Sequence, residues 1–308
     1  MAQILSLLGA SRSGKSTWIG CTLLARARFE NRLSDAGLPE ALAPLRVITT
    51  PLHEKRYPIR TNTSDAGVIR APLMWNGKTG SVSFDLEIAD FDGEEIEAIF
   101  NSRQLAWTDA WTRRAEPSVG LLLFLRPSKV ERVGSARLTP SKCVPEPDSP
   151  ERIFPGETPV EPDQRQKDLR IPTEVKLIEV MQMMRAIRGL GVGQHPPERL
   201  GILLTCWDEI PVGQSSQGPD AVFEDTFPLL YDFVYTNHNT DRVRVFGVSA
   251  TGGNLADEAF IKSMEANNQS VADLGRLVWR EGRRGKARET GEIALPLGWM
   301  VEGDDALR

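Results

Sequence analysis

The stretch GASRSGKS, residues 9–16, decides the fold. Its spacing is G-x-x-x-x-G-K-[ST], which is typical of a loop that wraps the phosphates of a nucleotide. The apolar run of residues 3–8 precedes it and predicts a buried strand, while residues 16–29 carry apolar side chains at helical spacing. Strand, glycine-rich loop and helix in this order are the context that the motif requires. We therefore predict a nucleotide phosphate site rather than a chance glycine turn.

Each residue of this loop has an expected part in binding. Gly9 and Gly14 allow backbone N–H groups to converge on an anion, and the positive end of the following helix adds to the attraction. Lys15 is expected to reach the β- and γ-phosphates, and the Ser16 hydroxyl to ligate Mg²⁺. The nucleotide-binding set predicted from the loop is Gly9, Ala10, Ser11, Arg12, Ser13, Gly14, Lys15, Ser16 and Thr17.

Composition excludes several classes of protein. The 308 residues carry a net charge of −5, so no overall basic field draws the chain to nucleic acid or to an anionic membrane. The longest purely apolar run, residues 121–125, is far shorter than the ~20 residues of a membrane-spanning helix, and the first residues lack a signal-peptide pattern. Three scattered cysteines predict neither a disulfide framework nor a zinc site. We therefore expect a cytoplasmic protein without a membrane partner.

The remaining pattern alternates strands and helices. Two β-rich runs flank Asn76-Gly77 and predict a hairpin, whereas four prolines predict irregular structure over residues 31–66. Further strands are predicted at residues 119–127, 199–210 and 242–250, and helices at residues 94–114 and 172–190. This alternation predicts an α/β fold with a mostly parallel sheet and helices on both faces.

We expect one domain over residues 1–308. Residues 134–172 contain eight prolines and few large apolar side chains, which predicts a surface insertion rather than a second domain. Residues 256–308 are expected to form a C-terminal helical cap, with helices over 256–279 and from Leu297 onward. In the helix over 172–190, the side expected to face the core consists of Val175, Ile178, Met181 or Met184, and Ile187, and its methionines are assigned to core packing rather than to docking.

Three further landmarks follow the glycine-rich loop. Asp90 closes a predicted strand and Gly93 follows, a D-x-x-G spacing that places a carboxylate behind the Mg²⁺ water shell and an N–H group near the γ-phosphate. The next two buried strands end in Thr205-Cys206-Trp207-Asp208 and in Ser249-Ala250.

These four landmarks, in this order, resemble the translation-factor-related class of P-loop GTPases over roughly residues 3–255. More narrowly, the chain is similar to the bacterial double-GTPase family, and the similar strings are RYPIRT (56–61), IADFDGEE (88–95), LLLFLRP (121–127) and ALPLGW (294–299). That family is proposed to act in conflict systems of the anti-phage type, beside a second GTPase and a GTPase-associated protein. The resemblance implies a P-loop NTPase fold, GTP and Mg²⁺ as ligands, and protein partners of that kind.

The resemblance also implies which residues read the base. Thr205 and Asp208 match the guanine-reading motif, and Ser249 and Ala250 match the motif that contacts the guanine carbonyl. Cys206 departs from the pattern, because the family's position carries a lysine. Asp208 can still accept hydrogen bonds from guanine N1–H and the exocyclic amine, a pair that adenine lacks, so we expect GTP.

For hydrolysis, the resemblance implies catalytic roles for Lys15, Gly93 and Glu94. Glu94 stands where a water-orienting glutamine is usual, and Ser11 where many members keep glycine. A carboxylate beside the γ-phosphate repels the phosphate unless the carboxyl group is protonated or acts through a water molecule. We therefore expect slow intrinsic hydrolysis, or hydrolysis completed by a partner.

The expected Mg²⁺ ligands are Ser16, a threonine of the loop before the hairpin, and Asp90 behind the metal's waters. Thr49, Thr50, Thr61 and Thr63 all qualify by position, and Thr61 is preferred because it ends the family-like string RYPIRT.

Two other functions stay open. An ATP-hydrolysing enzyme is favoured if Cys206 has weakened selection of the base, and a non-catalytic nucleotide-binding scaffold is favoured by Glu94 and Ser11. The basic stretch WREGRRGKAR, residues 279–288, suggests either nucleic acid or the acidic face of a partner. Because the whole chain is acidic, we prefer a protein partner or plain solvation.

Overall fold

The computed structural model describes residues 3–10, 12–26, 32–39, 42–58, 69–88, 120–130, 172–282 and 285–308. Nine strands form one sheet in the order β2-β3-β4-β1-β5-β6-β7-β8-β9. The strands are β1 Gln3–Gly9, β2 Leu33–Asp35, β3 Ile69–Gly77, β4 Gly80–Ile88, β5 Gly120–Leu125, β6 Arg199–Thr205, β7 Val243–Ser249, β8 Arg276–Arg280 and β9 Ala287–Thr290. The helices are α1 Lys15–Ala25, α2 Ala43–His53, α3 Thr173–Ile187, α4 Val212–Ser215, α5 Pro219–Thr226, α6 Pro228–Asn237, α7 Glu258–Ala266 and α8 Leu295–Glu302.

The centre of the sheet is parallel. Strands β4, β1, β5, β6 and β7 run in one direction, and two antiparallel strands extend the sheet on each side. The carboxyl ends of the central strands therefore meet at one edge, where ligands bind in open α/β sheets. The predicted α/β class is confirmed.

Helices cover both faces of this sheet. Along β5, Leu122 and Phe124 pack into one core with Trp18 of α1, whereas Leu121 and Leu123 pack into a second core. Side chains of a strand alternate between the two faces, so an all-apolar strand such as β5 is buried on both. The predicted covering of both faces is confirmed.

The predicted hairpin forms, but its turn lies further along the chain. Strands β3 and β4 are joined by Lys78 and Thr79, and Gly77 pairs with Gly80. Asn76 stays in the ladder because its side-chain amide donates to the Ser34 hydroxyl at 3.0 Å. The Asn-Gly pair therefore ends β3 and does not form the turn.

The prediction of irregular structure over residues 31–66 is wrong where the structure describes it. Strand β2 and helix α2 form there, although α2 contains Pro51. This proline lies in the last turn, so its missing N–H removes only one helical hydrogen bond near the end. Helix α2 packs closely on α1, since a Cβ at Gly20 would lie 2.4 Å from a Leu52 methyl.

Helix α3 forms as predicted, but its buried face is rotated. Its buried residues are Glu174, Leu177, Val180, Met181 and Met184. Val175 and Ile178 are only partly buried and Ile187 is exposed. Met181 and Met184 lie in the core, which confirms the assignment of these methionines to packing.

The expected helical cap over residues 256–308 is partly wrong. Helices α7 and α8 form, but residues 276–280 and 287–290 form strands that extend the sheet. In β8, Leu277 and Trp279 are buried and their neighbours in the strand are more exposed. Burial therefore alternates with the period of two that is typical of a strand. The predicted helix over 94–114 and the part of the insertion up to residue 171 lie outside the described residues.

Candidate nucleotide-binding site

The glycine-rich loop connects β1 directly to α1. Gly14 caps the helix in the left-handed region at φ 80°, and Arg12 is left-handed too, at φ 61°. The Ser13 N–H donates to the Ala10 carbonyl at 3.2 Å, which closes the turn. Left-handed residues in such a turn gather backbone N–H groups into a concavity that suits an anion, and the α1 N-terminus adds positive potential.

Both glycines of the motif are required by close packing. A Cβ at Gly9 would lie 2.7 Å from the Ser13 hydroxyl and 2.8 Å from the Phe124 Cβ. A Cβ at Gly14 would lie 3.1 Å from the Thr205 side chain, at a φ that other residues rarely adopt. The loop therefore keeps its shape only with glycine at these positions.

Thr205 ties the loop to the sheet. Its hydroxyl, at the end of β6, is buried and lies 2.6 Å from the Ser13 carbonyl and 3.1 Å from the Leu125 carbonyl. It can donate to either acceptor. One hydroxyl thus joins the loop after β1 to the ends of β5 and β6.

The loop's polar side chains fit a phosphate group. Lys15 is only 6% exposed, so its ammonium is held within the site rather than in solvent. The Ser13 hydroxyl is buried and has no hydrogen-bond partner among the described residues. Ser16 and Thr17 follow in the first turn of α1 and are partly buried. The buried Ser13 hydroxyl needs an acceptor, which a phosphate oxygen supplies.

The turn after β6 holds its residues in fixed positions. Cys206 is left-handed at φ 53°, and Trp207 packs on Gly247 of β7, where a Cβ would lie 2.4 Å from the indole. Glu209 is held by Arg126 at 2.5 Å and by the Ser128 hydroxyl.

Asp208 lies in this turn, and its exposed carboxylate is held in one orientation by a hydrogen bond. The Ser249 hydroxyl, at the end of β7, donates to its Oδ1 at 2.5 Å. Ser249 is itself 2% exposed, so the donor has a fixed position. The second carboxylate oxygen is free to accept from a ligand, and the structure brings together the two motifs that sequence predicted to read a base.

Titration in this turn follows from burial and pairing. Burial raises the pKa of the Cys206 thiol to about 11, and Asp208 and Glu209 add to the shift. Cys206 is therefore neutral near pH 7 and supplies no charge where the family carries a lysine. Although burial opposes ionisation of Glu209, hydrogen bonds from Ser128 and Arg126 hold its pKa below its ordinary value.

Tyr57 is a residue of this region that sequence reasoning missed. It follows α2 and reaches the loop after β7, where its hydroxyl donates to Asn254 at 3.2 Å and accepts from the Leu255 N–H at 3.1 Å. Burial raises the pKa of Tyr57, and the neighbouring Cys206 and Asp208 raise it further. The ring therefore lies beside the turn that carries Asp208.

Other predicted residues are not described or lie elsewhere than expected. Ser11, Thr61, Asp90, Gly93 and Glu94 lie outside the described residues, so their roles stay predictions. Thr49 and Thr50 belong to helix α2, where the Thr49 hydroxyl donates to the Leu45 carbonyl at 2.9 Å. They are not loop threonines, which leaves Thr61 and Thr63 of the four candidates.

The described residues contain neither a membrane-spanning helix nor a cluster of metal-binding side chains. None of their helices is long and apolar enough to cross a bilayer. No group of three or more His, Cys, Asp or Glu side chains among them could hold a metal ion.

A glycine-rich loop between the first strand and first helix, at the carboxyl edge of a parallel sheet, defines a P-loop nucleotide-binding fold. The chain belongs to the Double-GTPase 1 family, whose model matches residues 6–300. The resemblance to the double-GTPase family is thereby confirmed, and the chain is a GTPase-family protein at this general level.

The matching solved structures include an elongation factor of low sequence identity. A crystal structure of the bacterial selenocysteine-specific elongation factor EF-Sec is similar at a TM-score of 0.36 and 12% identity. The match covers 87% of this chain and 29% of the elongation factor chain. No curated protein matches the sequence.

Proposed function

We propose that the chain is a Mg²⁺-dependent GTP-binding and GTP-hydrolysing switch that signals to partner proteins. The observation that carries the proposal is the pair of contacts described above. Thr205 ties the phosphate loop to β6, and Ser249 aligns Asp208 on the adjoining turn. A site built this way holds a phosphate at one end and offers a fixed carboxylate to a base at the other.

The catalytic roles follow from the loop's chemistry and from family membership. Lys15 and the backbone N–H groups of the loop hold the phosphates, while Ser16 and Thr61 are the metal ligands and Asp90 orients the metal's waters. Bound there, Mg²⁺ supplies charge neutralisation of the β- and γ-phosphates. A water oxygen attacks the γ-phosphorus in line, the bond to the β–γ bridging oxygen breaks, and GDP and phosphate form.

Glu94 is proposed to orient the water. As a carboxylate it does so poorly next to the γ-phosphate, so intrinsic hydrolysis is slow and a partner accelerates it. Gly93 contacts the γ-phosphate, and loss of that group releases the loops that partners recognise.

Base selection rests on Asp208. Its exposed oxygen accepts from guanine N1–H and the exocyclic amine, and no positively charged side chain stands at position 206 to pack on the ring. We therefore propose a preference for GTP that is weaker than a lysine at position 206 would give. The partners are proposed to be a second GTPase or a GTPase-associated protein of a bacterial defence system, acting in the cytoplasm.

The first test is equilibrium binding of fluorescent GTP and ATP analogues with Mg²⁺. We expect at least a tenfold preference for GTP, about 1.4 kcal/mol, in the wild type. Lys15→Ala should abolish binding of both, while the matched control Lys262→Ala, an exposed lysine of α7, should bind normally. Equal affinity for both bases would instead support the ATP-hydrolysing enzyme, and no binding would overturn the nucleotide site.

The second test is single-turnover hydrolysis of bound GTP. A catalytic switch should release phosphate slowly. The rate should change in Glu94→Gln and stay the same in Lys262→Ala. Tight binding with no hydrolysis, alone or with proteins encoded beside it, would favour the scaffold.

A further inference from the structure

The basic stretch of residues 279–288 plays no part in the nucleotide site. Its described residues, 279–282 and 285–288, include the end of β8 and the start of β9, and β9 is the last strand of the sheet that the described residues form. Strand β9 pairs with β8 on one side, with Trp279 opposite Arg288. Its other side has no neighbouring strand among the described residues.

The direction of the free backbone groups follows from the ladder. The Glu281 N–H donates to the Lys286 carbonyl at 3.4 Å, so residues 281 and 286 form a hydrogen-bonded pair of the antiparallel ladder. Such pairs alternate with non-bonded pairs. Residues 288 and 290 therefore bond to β8, while the N–H and C=O groups of Ala287 and Glu289 point away from it, to the open edge.

A cavity accompanies this edge. Its volume is about 590 Å³, and all four residues of β9 line it together with Lys286, Trp279 and Arg308. A second cavity of about 280 Å³ is also lined by Trp279 and Arg308. The indole N–H of Trp279 is buried and has no acceptor among the described residues.

Charge at this cavity favours an anion. Because side chains alternate along a strand, Lys286 and Arg288 lie on the same face as Trp279. Lys286 forms no ion pair within the described part of the chain, and the partners of Arg288 and Arg308 are the exposed carboxylates Glu281 and Asp305. Exposed ion pairs of this kind are weak, so the cations can exchange partners.

We propose that β9 is a docking edge for an extended acidic segment of a partner protein. The segment adds as a further strand, hydrogen-bonded to the backbone of Ala287 and Glu289, and places every second side chain over the cavity. Asp or Glu at those positions meets Lys286, Arg288 and Arg308. Of the two carboxylates at the cavity, Glu292 is already paired with Arg32. A nucleic acid has no backbone amides to continue the ladder, so the open N–H and C=O groups of Ala287 and Glu289 favour a peptide.

The test uses the full chain and a fluorescein-labelled synthetic peptide of alternating glutamate and threonine, followed by anisotropy. A matched peptide has glutamine in place of glutamate, and a third carries N-methyl groups on alternate residues. We expect binding of the glutamate peptide that weakens with salt and falls at least tenfold with either matched peptide. Comparable binding of all three would overturn the proposal.

Variants of the chain separate backbone from charge. Glu289→Pro removes an edge N–H without touching the bonds to β8, and should weaken binding at least tenfold, whereas Glu289→Ala should not. Lys286→Glu with Arg288→Glu should weaken it similarly. The N-methyl peptide makes the same backbone test if the proline variant does not fold.

Three results would contradict the proposal, and the first two would also identify another occupant. They are tighter binding of a single-stranded oligonucleotide than of the glutamate peptide, a concentration-dependent dimer that Glu289→Pro abolishes, or a peptide affinity that Glu289→Pro leaves unchanged. Since the edge is separate from the nucleotide loop, Lys15→Ala should still bind the peptide. Peptide binding by Lys15→Ala therefore tests the docking edge independently of the proposed GTP site.

Discussion

The Thr205 hydroxyl lies 2.6 Å from the Ser13 carbonyl, across 192 residues of sequence. The same hydroxyl lies 3.1 Å from the Leu125 carbonyl, so one side chain fixes the phosphate loop against the ends of two strands. Cys206, the next residue, begins the turn that carries Asp208. The residue that holds the phosphate loop is thus followed directly by the turn of the base end, and we expect a displacement of the loop to shift that turn.

Replacing Thr205 by valine keeps the shape of the side chain and removes its donor. The Ser13 and Leu125 carbonyls then lose the one donor that either can accept from, which should destabilise the fold by about 1–3 kcal/mol and weaken nucleotide binding about tenfold. Urea unfolding and nucleotide titration measure the two effects. Thr205→Ser keeps the hydroxyl and should retain most of both; equal losses in the two variants would contradict the hydrogen-bonding role.

Ser249→Ala removes the donor that aligns Asp208. We expect the affinity for GTP to fall several-fold and the affinity for ATP to change little, because only guanine uses the carboxylate. Competition titrations with both nucleotides give the ratio directly. Ser263→Ala, at an exposed serine of α7, is the control, and an equal loss for both nucleotides would show that Ser249 acts on the fold instead.

Gly14→Ala should cost more stability than Gly189→Ala. Both glycines are left-handed, at φ 80° and 68°, so an alanine at either is strained by about 1–2 kcal/mol. A Cβ at Gly14 also meets Thr205 at 3.1 Å, whereas one at Gly189 meets nothing within 4 Å. Thermal unfolding of the two variants gives the difference, and matching losses would mean that the loop yields to the extra atom.

His238 should make the fold less stable in acid. Its pKa is lowered from 6.5 to about 4, mainly by burial and also by the nearby Arg185, His195 and Arg188. A hydrogen bond to the Val234 backbone opposes this shift. The unfolded chain then binds more protons than the folded one between these values, so stability falls as pH drops from 6.5 to 4. The loss by pH 4.5 should be about 2–3 kcal/mol.

The measurement is urea unfolding at pH 7 and pH 4.5. His238→Gln should show a smaller loss between the two pH values than the wild type. His53→Gln, at an exposed position at the end of α2, should behave like the wild type, and equal pH dependence in all three proteins would sink the assignment to His238.

Sequence alone predicts the parts of this fold that local chemistry dictates. The phosphate loop follows from the left-handed Gly14 and the packed Gly9, and the strand over residues 120–125 follows from an unbroken apolar run. These signals are strong because few other arrangements satisfy them. Asp208 and Ser249 were indicated by the resemblance to a class of GTPases, and in the structure the parallel sheet brings them into contact.

The features that the sequence did not predict depend on contacts between residues distant in sequence. Helix α2 forms despite Pro51 because Leu52 packs on Gly20 of α1, a contact that no local pattern predicts. Residues 276–280 form a strand because β7 offers them a partner. Tyr57 lies in the family-like string RYPIRT, but its contacts were not predicted, since they depend on Asn254 and Leu255, which folding brings to it.

Three long-range bonds join the first strands and helix to the last part of the chain. The Trp18 indole donates to the Ile293 carbonyl at 3.1 Å, Arg32 pairs with Glu292, and the Trp75 indole donates to Glu302 at 2.9 Å. During synthesis, helix α1 therefore cannot complete its packing until residues 292–302 have left the ribosome. The two indoles lack these acceptors for most of translation, and we expect the apolar surface exposed in that period to favour aggregation.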